Sequence, residues 1–149
     1  MSTPAETLGL LIKRAQHANH RALEAALAEV DLSLLQWNAL REIGRNPGVS
    51  MRRLAELTFN SDQGFGALVG RLLRDGLVER RQTAGRALTH SLTREGAARF
   101  RKGAGIYVRV VERAFSALSD DERESLARLL RKIVAAKPKT GPTAARRRG

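Results

Sequence analysis

The 149 residues predict a mainly α-helical fold with one small β ribbon, on three observations. Apolar residues recur at helical spacing over most of the chain. That rhythm breaks once, where residues 77–82 and 87–92 read as two strands around Thr83-Ala84-Gly85-Arg86. Hydrophobic residues make up 42% of the chain, so one domain of this length can bury a core.

Each element has its own signal. Over residues 4–30, Leu8, Leu11, Ile12, Ala15, Ala22, Leu23, Ala26, Leu27 and Val30 form one sustained helical stripe. Residues 33–43 make a second helix, with Ser33 as N-cap and Gly44, Pro47 and Gly48 ending it. Ser50 caps a third helix and Ser61 a fourth, which Gly76 closes. In the turn between the strands, Gly85 is available for positive φ. A fifth helix runs from about Thr93 to about Leu118 through Phe100, Tyr107, Val110, Val111 and Phe115. Gly103 and Gly105 weaken its middle and predict a kink there. Ser119 and Glu122 form a capping box for a last helix striped with Leu126, Leu129, Leu130, Ile133 and Val134. Residues 137–149 hold Pro138, Gly141, Pro142 and five basic residues with almost nothing to bury, and predict a basic disordered tail.

Charge narrows the partners. The chain carries 27 Lys+Arg against 15 Asp+Glu, a formal charge of +12. Such an excess favours a polyanion, nucleic acid before an anionic membrane surface. No cysteine is present, which excludes disulfides, zinc–thiolate sites and thiol redox sensing. No apolar run approaches the roughly 20 residues that span a bilayer. Residues 1–6 lack a secretory pattern, so a cytoplasmic location is expected. The histidines, His17, His20 and His90, stand beside no nucleophile motif, phosphate loop or carboxylate pair, which argues against an enzyme. No cofactor or metal is expected.

Residues 50–96 then carry the function. Two helices meet at a tight turn, Thr58-Phe59-Asn60, and a basic two-stranded flap follows. That order is a winged helix-turn-helix, a reader of double-stranded DNA. The flanking helices have more apolar surface than a small winged domain can cover, so they are left for pairing two copies.

The chain resembles the MarR family of bacterial transcription regulators in four ordered segments. They are Leu32-Ser33-Leu34-Leu35-Gln36-Trp37-Asn38-Ala39-Leu40, Leu54-Ala55-Glu56-Leu57, Leu68-Val69-Gly70-Arg71-Leu72 through Asp75-Gly76-Leu77-Val78-Glu79-Arg80, and Leu92-Thr93-Arg94-Glu95-Gly96. The resemblance implies a homodimer built on residues 1–32 and 94–136, with residues 33–93 binding a roughly palindromic operator. It also implies a repressor that a small anionic or phenolic ligand often releases from DNA. A two-fold pair would set two reading helices about 34–36 Å apart.

On the fourth helix, Phe65, Leu68, Val69, Leu72 and Leu73 fall on the buried side. Asp62, Gln63, Gly66, Ala67, Gly70, Arg71 and Arg74 fall on the other. Gln63 suits an adenine, Asp62 a cytosine, and Ser61 with the first-turn amides a phosphate. Many members of the family carry hydroxyl and Arg residues where this chain has Gly64, Gly66 and Ala67. Three readings of those glycines stay open: close backbone approach to the groove, close packing against another helix, or simply a less stable helix. Arg52 and Arg53 on the third helix, and Arg80 and Arg81 on the wing, suit phosphates. Arg86 at the wing tip suits a narrow minor groove. The family often has an Asp where this chain has Ala84, and this wing is about two residues shorter. Arg146, Arg147 and Arg148 would add non-specific affinity or stay solvated.

His17, His20 and Glu24 share a helical face that suits a metal or an anion, or is merely a polar stripe. A ligand pocket, if one exists, belongs at the junction of the first, second and fifth helices, lined by His17, His20, Trp37 and Tyr107; Trp37, on the apolar face, reads as core before it reads as a ligand platform. A low-specificity architectural DNA-binding protein is the main alternative to a specific regulator.

Overall fold

The computed structural model describes residues 3–85 and 88–136. Arg86 and Ala87, and with them the wing tip, lie outside the described residues, as does the expected tail at 137–149. The elements run α1 (Ala5–Leu27, extended by a 3-10 turn Ala28–Val30), α2 (Leu34–Arg45), α3 (Met51–Leu57), α4 (Asp62–Arg74), β1 (Val78–Gln82), β2 (Leu88–Leu92), α5 (Arg94–Ala114) and α6 (Asp120–Ala135). The fold is the expected one, mainly helical with a two-stranded antiparallel wing.

Local chemistry sets the boundaries. Ser33 accepts from Gln36 N while the Gln36 side chain accepts from Ser33 N, a reciprocal box that starts α2. Ser50 and Ser61 cap α3 and α4 through Arg53 N and Gly64 N. Gly76, at φ +70°, ends α4, and Leu77 N donates back to Leu72 O at 3.0 Å.

The chain divides into two units after Ala114. In the first, α1, α2 and α5 pack together and α4 closes over α2 and α3. The core is built on Leu27, Leu40, Ile43, Leu54, Phe65, Val69, Leu72 and Leu77, all essentially inaccessible. In the second, Ser119 and Glu122 form the expected capping box at the start of α6. None of α6 is buried; Leu129, Ile133 and Val134 stand exposed, Val134 at 83%.

Trp37 links α2 to α5. Its ring is 3% exposed and stacks on Tyr107 at 4.5 Å and on Phe100 at 5.5 Å. Its Nε1 donates to Phe100 O at 3.3 Å. A Cβ on Gly103 would lie 2.5 Å from Trp37 Cδ1, so only glycine lets the indole seat against α5. The helix α5 runs as one continuous segment from Arg94 to Ala114, with Gly103 placed at the contact with Trp37. The helix also stops short of Leu118, whose N–H closes a turn onto Phe115 O ahead of the Ser119 cap.

The base of the wing is clamped to both neighbouring helices. Thr93 donates its hydroxyl to Gly76 O at 2.6 Å and accepts from Gly96 N at 3.0 Å, while Thr93 N donates to Leu77 O. A Cβ on Gly96 would overlap the Leu77 carbonyl. The ladder runs from Val78↔Leu92 to Gln82↔Leu88. The connection therefore covers residues 83–87, longer than a two-residue hairpin turn. Longer loops of this kind are most often built around a type I turn, without positive φ at its centre. Accordingly Gly85 does not take the positive φ expected of it; Gly48 and Gly76 are the left-handed glycines among the described residues.

His90 faces Arg80 across the ladder and is 4% exposed. Arg80 Nε donates to His90 Nε2 at 3.2 Å, which requires an imidazole with a free lone pair there. His90 Nδ1 is buried without a partner among the described residues. Burial holds the imidazole below the ordinary histidine value of 6.5, and the Arg80 charge pushes the same way.

Two outcomes are expected. Gly103→Ala lowers stability by about 1–3 kcal/mol through overpacking, whereas Gly105→Ala on the same helix, where a Cβ meets nothing within 4 Å, raises it by about 0.5–1 kcal/mol. Denaturant unfolding followed by Trp37 fluorescence separates them, and equal effects would refute the close-approach role of Gly103. For His90, the unfolded chain binds more protons than the native one between the lowered native pKa and 6.5, so its contribution is complete above 6.5 and lost as pH falls below it. Thermal unfolding between about pH 7.5 and about pH 5.5 should show a smaller acid-side drop in His90→Gln than in the parent.

Candidate nucleic-acid interface

The α3–α4 turn aims the reading helix. Thr58 is buried and donates its hydroxyl to Leu54 O and Ala55 O at 2.9 and 3.2 Å. Asn60 Nδ2 donates to Thr58 O and to Thr58 Oγ1, and Asn60 N donates to Ala55 O. Ser61 follows as the cap. These bonds fix where α4 begins and how it leaves α3.

Helix α4 is two-faced. Phe65, Leu68, Val69 and Leu72 are buried, and Leu73 is half-buried. Ser61, Asp62, Gln63, Gly64, Gly66, Ala67, Arg71 and Arg74 are exposed, with Gly70 partly so. Gly66 and Gly70 have nothing within 4 Å of an added Cβ, and Gly64 meets only Ser61 Oγ. No described part of this chain packs on these glycines. Helix packing within the chain is thereby removed from the readings of them; close approach to a groove and a merely less stable helix are left, on a smooth, open backbone strip.

The basic residues differ in how they are held. Arg52 and Arg53 are exposed on α3 and both reach Glu56, at 4.0 and 3.0 Å. Arg81 is exposed and pairs with Glu79 at 3.3 Å. Solvent-exposed pairs of this kind are worth about 0–1 kcal/mol, so a phosphate can displace them cheaply. Arg80, also exposed, has its Nε committed to His90. Sequence reasoning treated His90 only as an isolated histidine; its place between Leu88 and Leu92 on alternating strand positions was the signal that pointed inward. Arg86 lies outside the described residues.

Of the expected pocket residues, His20 and Tyr107 line a cavity of about 190 Å³ where α1, α2 and α5 meet. Arg41, Asn38 and Asn19 line it too, none of them singled out from sequence. Asn19 Oδ1 is buried without a partner among the described residues. Trp37 does not line the cavity but lies behind it, stacked on Tyr107, with the Arg41 guanidinium 5.2 Å from its ring centroid. His17 is exposed and does not line it. Glu24, grouped with the two histidines from sequence, accepts from Leu34 N at 2.9 Å and so ties α1 to α2. A larger cavity, about 530 Å³, lies between α1 and α5 over Ala22, Ala25, Ala26 and Val110, edged by Arg109 and Arg113; no sequence pattern pointed to it. No helix of the described residues is long and apolar enough to cross a membrane.

Residues 30–87 match the sequence model of the MarR family. The HTH-type transcriptional regulator BilQ of Clostridium symbiosum is 34% identical over 94 residues, which is 61% of this chain and 65% of that one, just under two thirds of its length. The HTH-type transcriptional repressor Rv2887 of Mycobacterium tuberculosis is 26% identical over 128 residues, 85% of this chain and 92% of that one. The crystal structure of Rv2887 with salicylic acid aligns at TM-score 0.72 and 25% identity, covering 89% of this chain and 97% of that one. The transcriptional repressor CouR bound to a 23-mer DNA duplex aligns at TM-score 0.79 and 26% identity, covering 87% and 94%. Over the matched segment, which spans α2 to the wing, the chain is similar to the MarR family of transcriptional regulators, and it shares the fold of these relatives.

Proposed function

We propose that the protein is a homodimeric, sequence-specific DNA-binding repressor whose grip on its operator is loosened by a small anionic or phenolic ligand. The observation that carries this reading is the exposed face of α4: a capped helix N-terminus, Gln63, a bare strip at Gly66 and Gly70, and exposed arginines at either side. In it, Ser61, Asp62, Gln63, Gly64, Gly66, Ala67 and Arg71 lie in the major groove. Arg52, Arg53, Arg80 and Arg81 hold phosphates, and Arg86 enters the adjoining minor groove. CouR in its DNA-bound structure supports the mode by analogy of fold.

Pairing is supported by apolar surface left open. On α1, Leu8, Leu10, Leu11 and Ile12 are exposed, and on α6 so are Leu129, Leu130, Ile133 and Val134. Exposed apolar stripes of this kind on each helix mark an interface. Residues 1–32 and 94–136 therefore serve dimerisation, and residues 33–93 serve DNA. The ligand is assigned to the cavity of Arg41, His20 and Tyr107, where a cation and a phenol can meet a carboxylate. The salicylic acid complex of Rv2887 supports that chemistry.

A second reading, a low-specificity architectural protein, is favoured by the same scarcity of side chains on α4. Selection from random duplexes at near-physiological salt decides between them: a palindromic consensus is expected, and its absence would favour the architectural protein. On the selected duplex, Arg52→Ala with Arg53→Ala should reduce the slope of log K against log salt by about two. An unchanged slope would remove α3 from the DNA. Gly66→Ala should stabilise α4 by about 1 kcal/mol yet weaken operator binding. Binding equal to that of the parent would show that the backbone does not approach the groove at Gly66.

A further inference from the structure

Phe59 is held in a way that the fold itself does not reward. It is 97% exposed, whereas Phe65 and Trp37 are buried and Phe100 and Tyr107 are packed against the core. Its φ is +57°, in the left-handed region that disfavours any residue with a bulky side chain. Elsewhere among the described residues that conformation falls to Gly48, Gly76 and Asp31, residue types that tolerate it. The turn nevertheless fixes Phe59 firmly. Its N–H donates to Glu56 O at 3.1 Å, and the buried Thr58 and the Asn60 bonds brace it on either side. A strained, fully exposed aromatic in a rigid turn points outward to a partner.

We propose that Phe59 is a DNA contact, its ring resting on deoxyribose edges and a thymine methyl at the mouth of the major groove. The inference rests on the DNA-binding reading of α4 and adds to it a residue outside the reading helix. Three observations choose DNA as the occupant. Phe59 stands two residues before the Ser61 cap, so it belongs to the turn that delivers the N-terminal end of α4. Exposed Arg52 and Arg53 lie on the helix that enters the same turn. The α4 face lacks apolar bulk at Gly64, Gly66 and Gly70, and a phenyl ring beside it supplies what those positions omit.

The test compares the full chain with Phe59→Gly and Phe59→Asn, both comfortable in the left-handed region. Each is titrated with the duplex selected from random DNA and with a shuffled duplex of equal length. Thermal midpoints should hold or rise by about 2–4 °C as the strain is relieved. Affinity for the selected duplex should fall about tenfold, with the salt slope unchanged because no phosphate charge is lost. Parental affinity in both variants overturns this proposal alone and assigns the ring to a partner other than DNA. A parent chain that prefers neither duplex overturns the specific-reader assignment and this contact with it.

Discussion

The packing of Trp37 against α5 is the constraint on which the rest depends. Residue 37 belongs to α2, the helix that supports the reading unit, while Phe100, Gly103 and Tyr107 belong to the long helix beside α1. Two stacked rings, one indole N–H bond and one missing Cβ join the two parts through a single side chain. Stacked aromatic pairs add about 0.5–1.5 kcal/mol beyond area burial, and the geometry tolerates little sliding. The orientation of the winged unit on its helical support follows from that seat. The cavity of Arg41 and His20 also lies against it, because Tyr107 forms its wall on one face and stacks on Trp37 on the other.

A second junction sits at the foot of the wing. Thr93 bonds to the end of α4 through Gly76 O, to β1 through Leu77 O, and caps α5 through Gly96 N. One hydroxyl and one amide thus meet three elements. Through these bonds α5 is joined directly to the wing and to the C-terminal end of α4.

What was legible in the sequence was local. Ser33, Ser50, Ser61 and Ser119 cap helices through bonds to residues three positions on, and such spacing is written in the chain. The two faces of α4 follow from the helical period alone. What was not legible depends on a partner far away in sequence. Gly103 reads as a weak point until Trp37, brought from another helix, is seen in the space of its missing Cβ. His90 reads as a lone histidine until the register sets it opposite Arg80. Phe59 carried no periodic signal because loop residues have none, and its exposure is a fact of three dimensions. Arg41 and Asn19 were missed at the cavity for the same reason: a polar residue on a helix shows its neighbour only once the helices are packed.

The bare strip on α4 has a consequence for how such a protein changes over time. At Gly66 and Gly70 a new side chain would meet no other atom of the described chain. These positions are blanks rather than occupied letters. A single substitution there meets no obstacle inside the chain, and the helix gains stability in the same step. The fold itself therefore sets no limit on what these two positions carry, and any limit on them must come from a partner outside the chain.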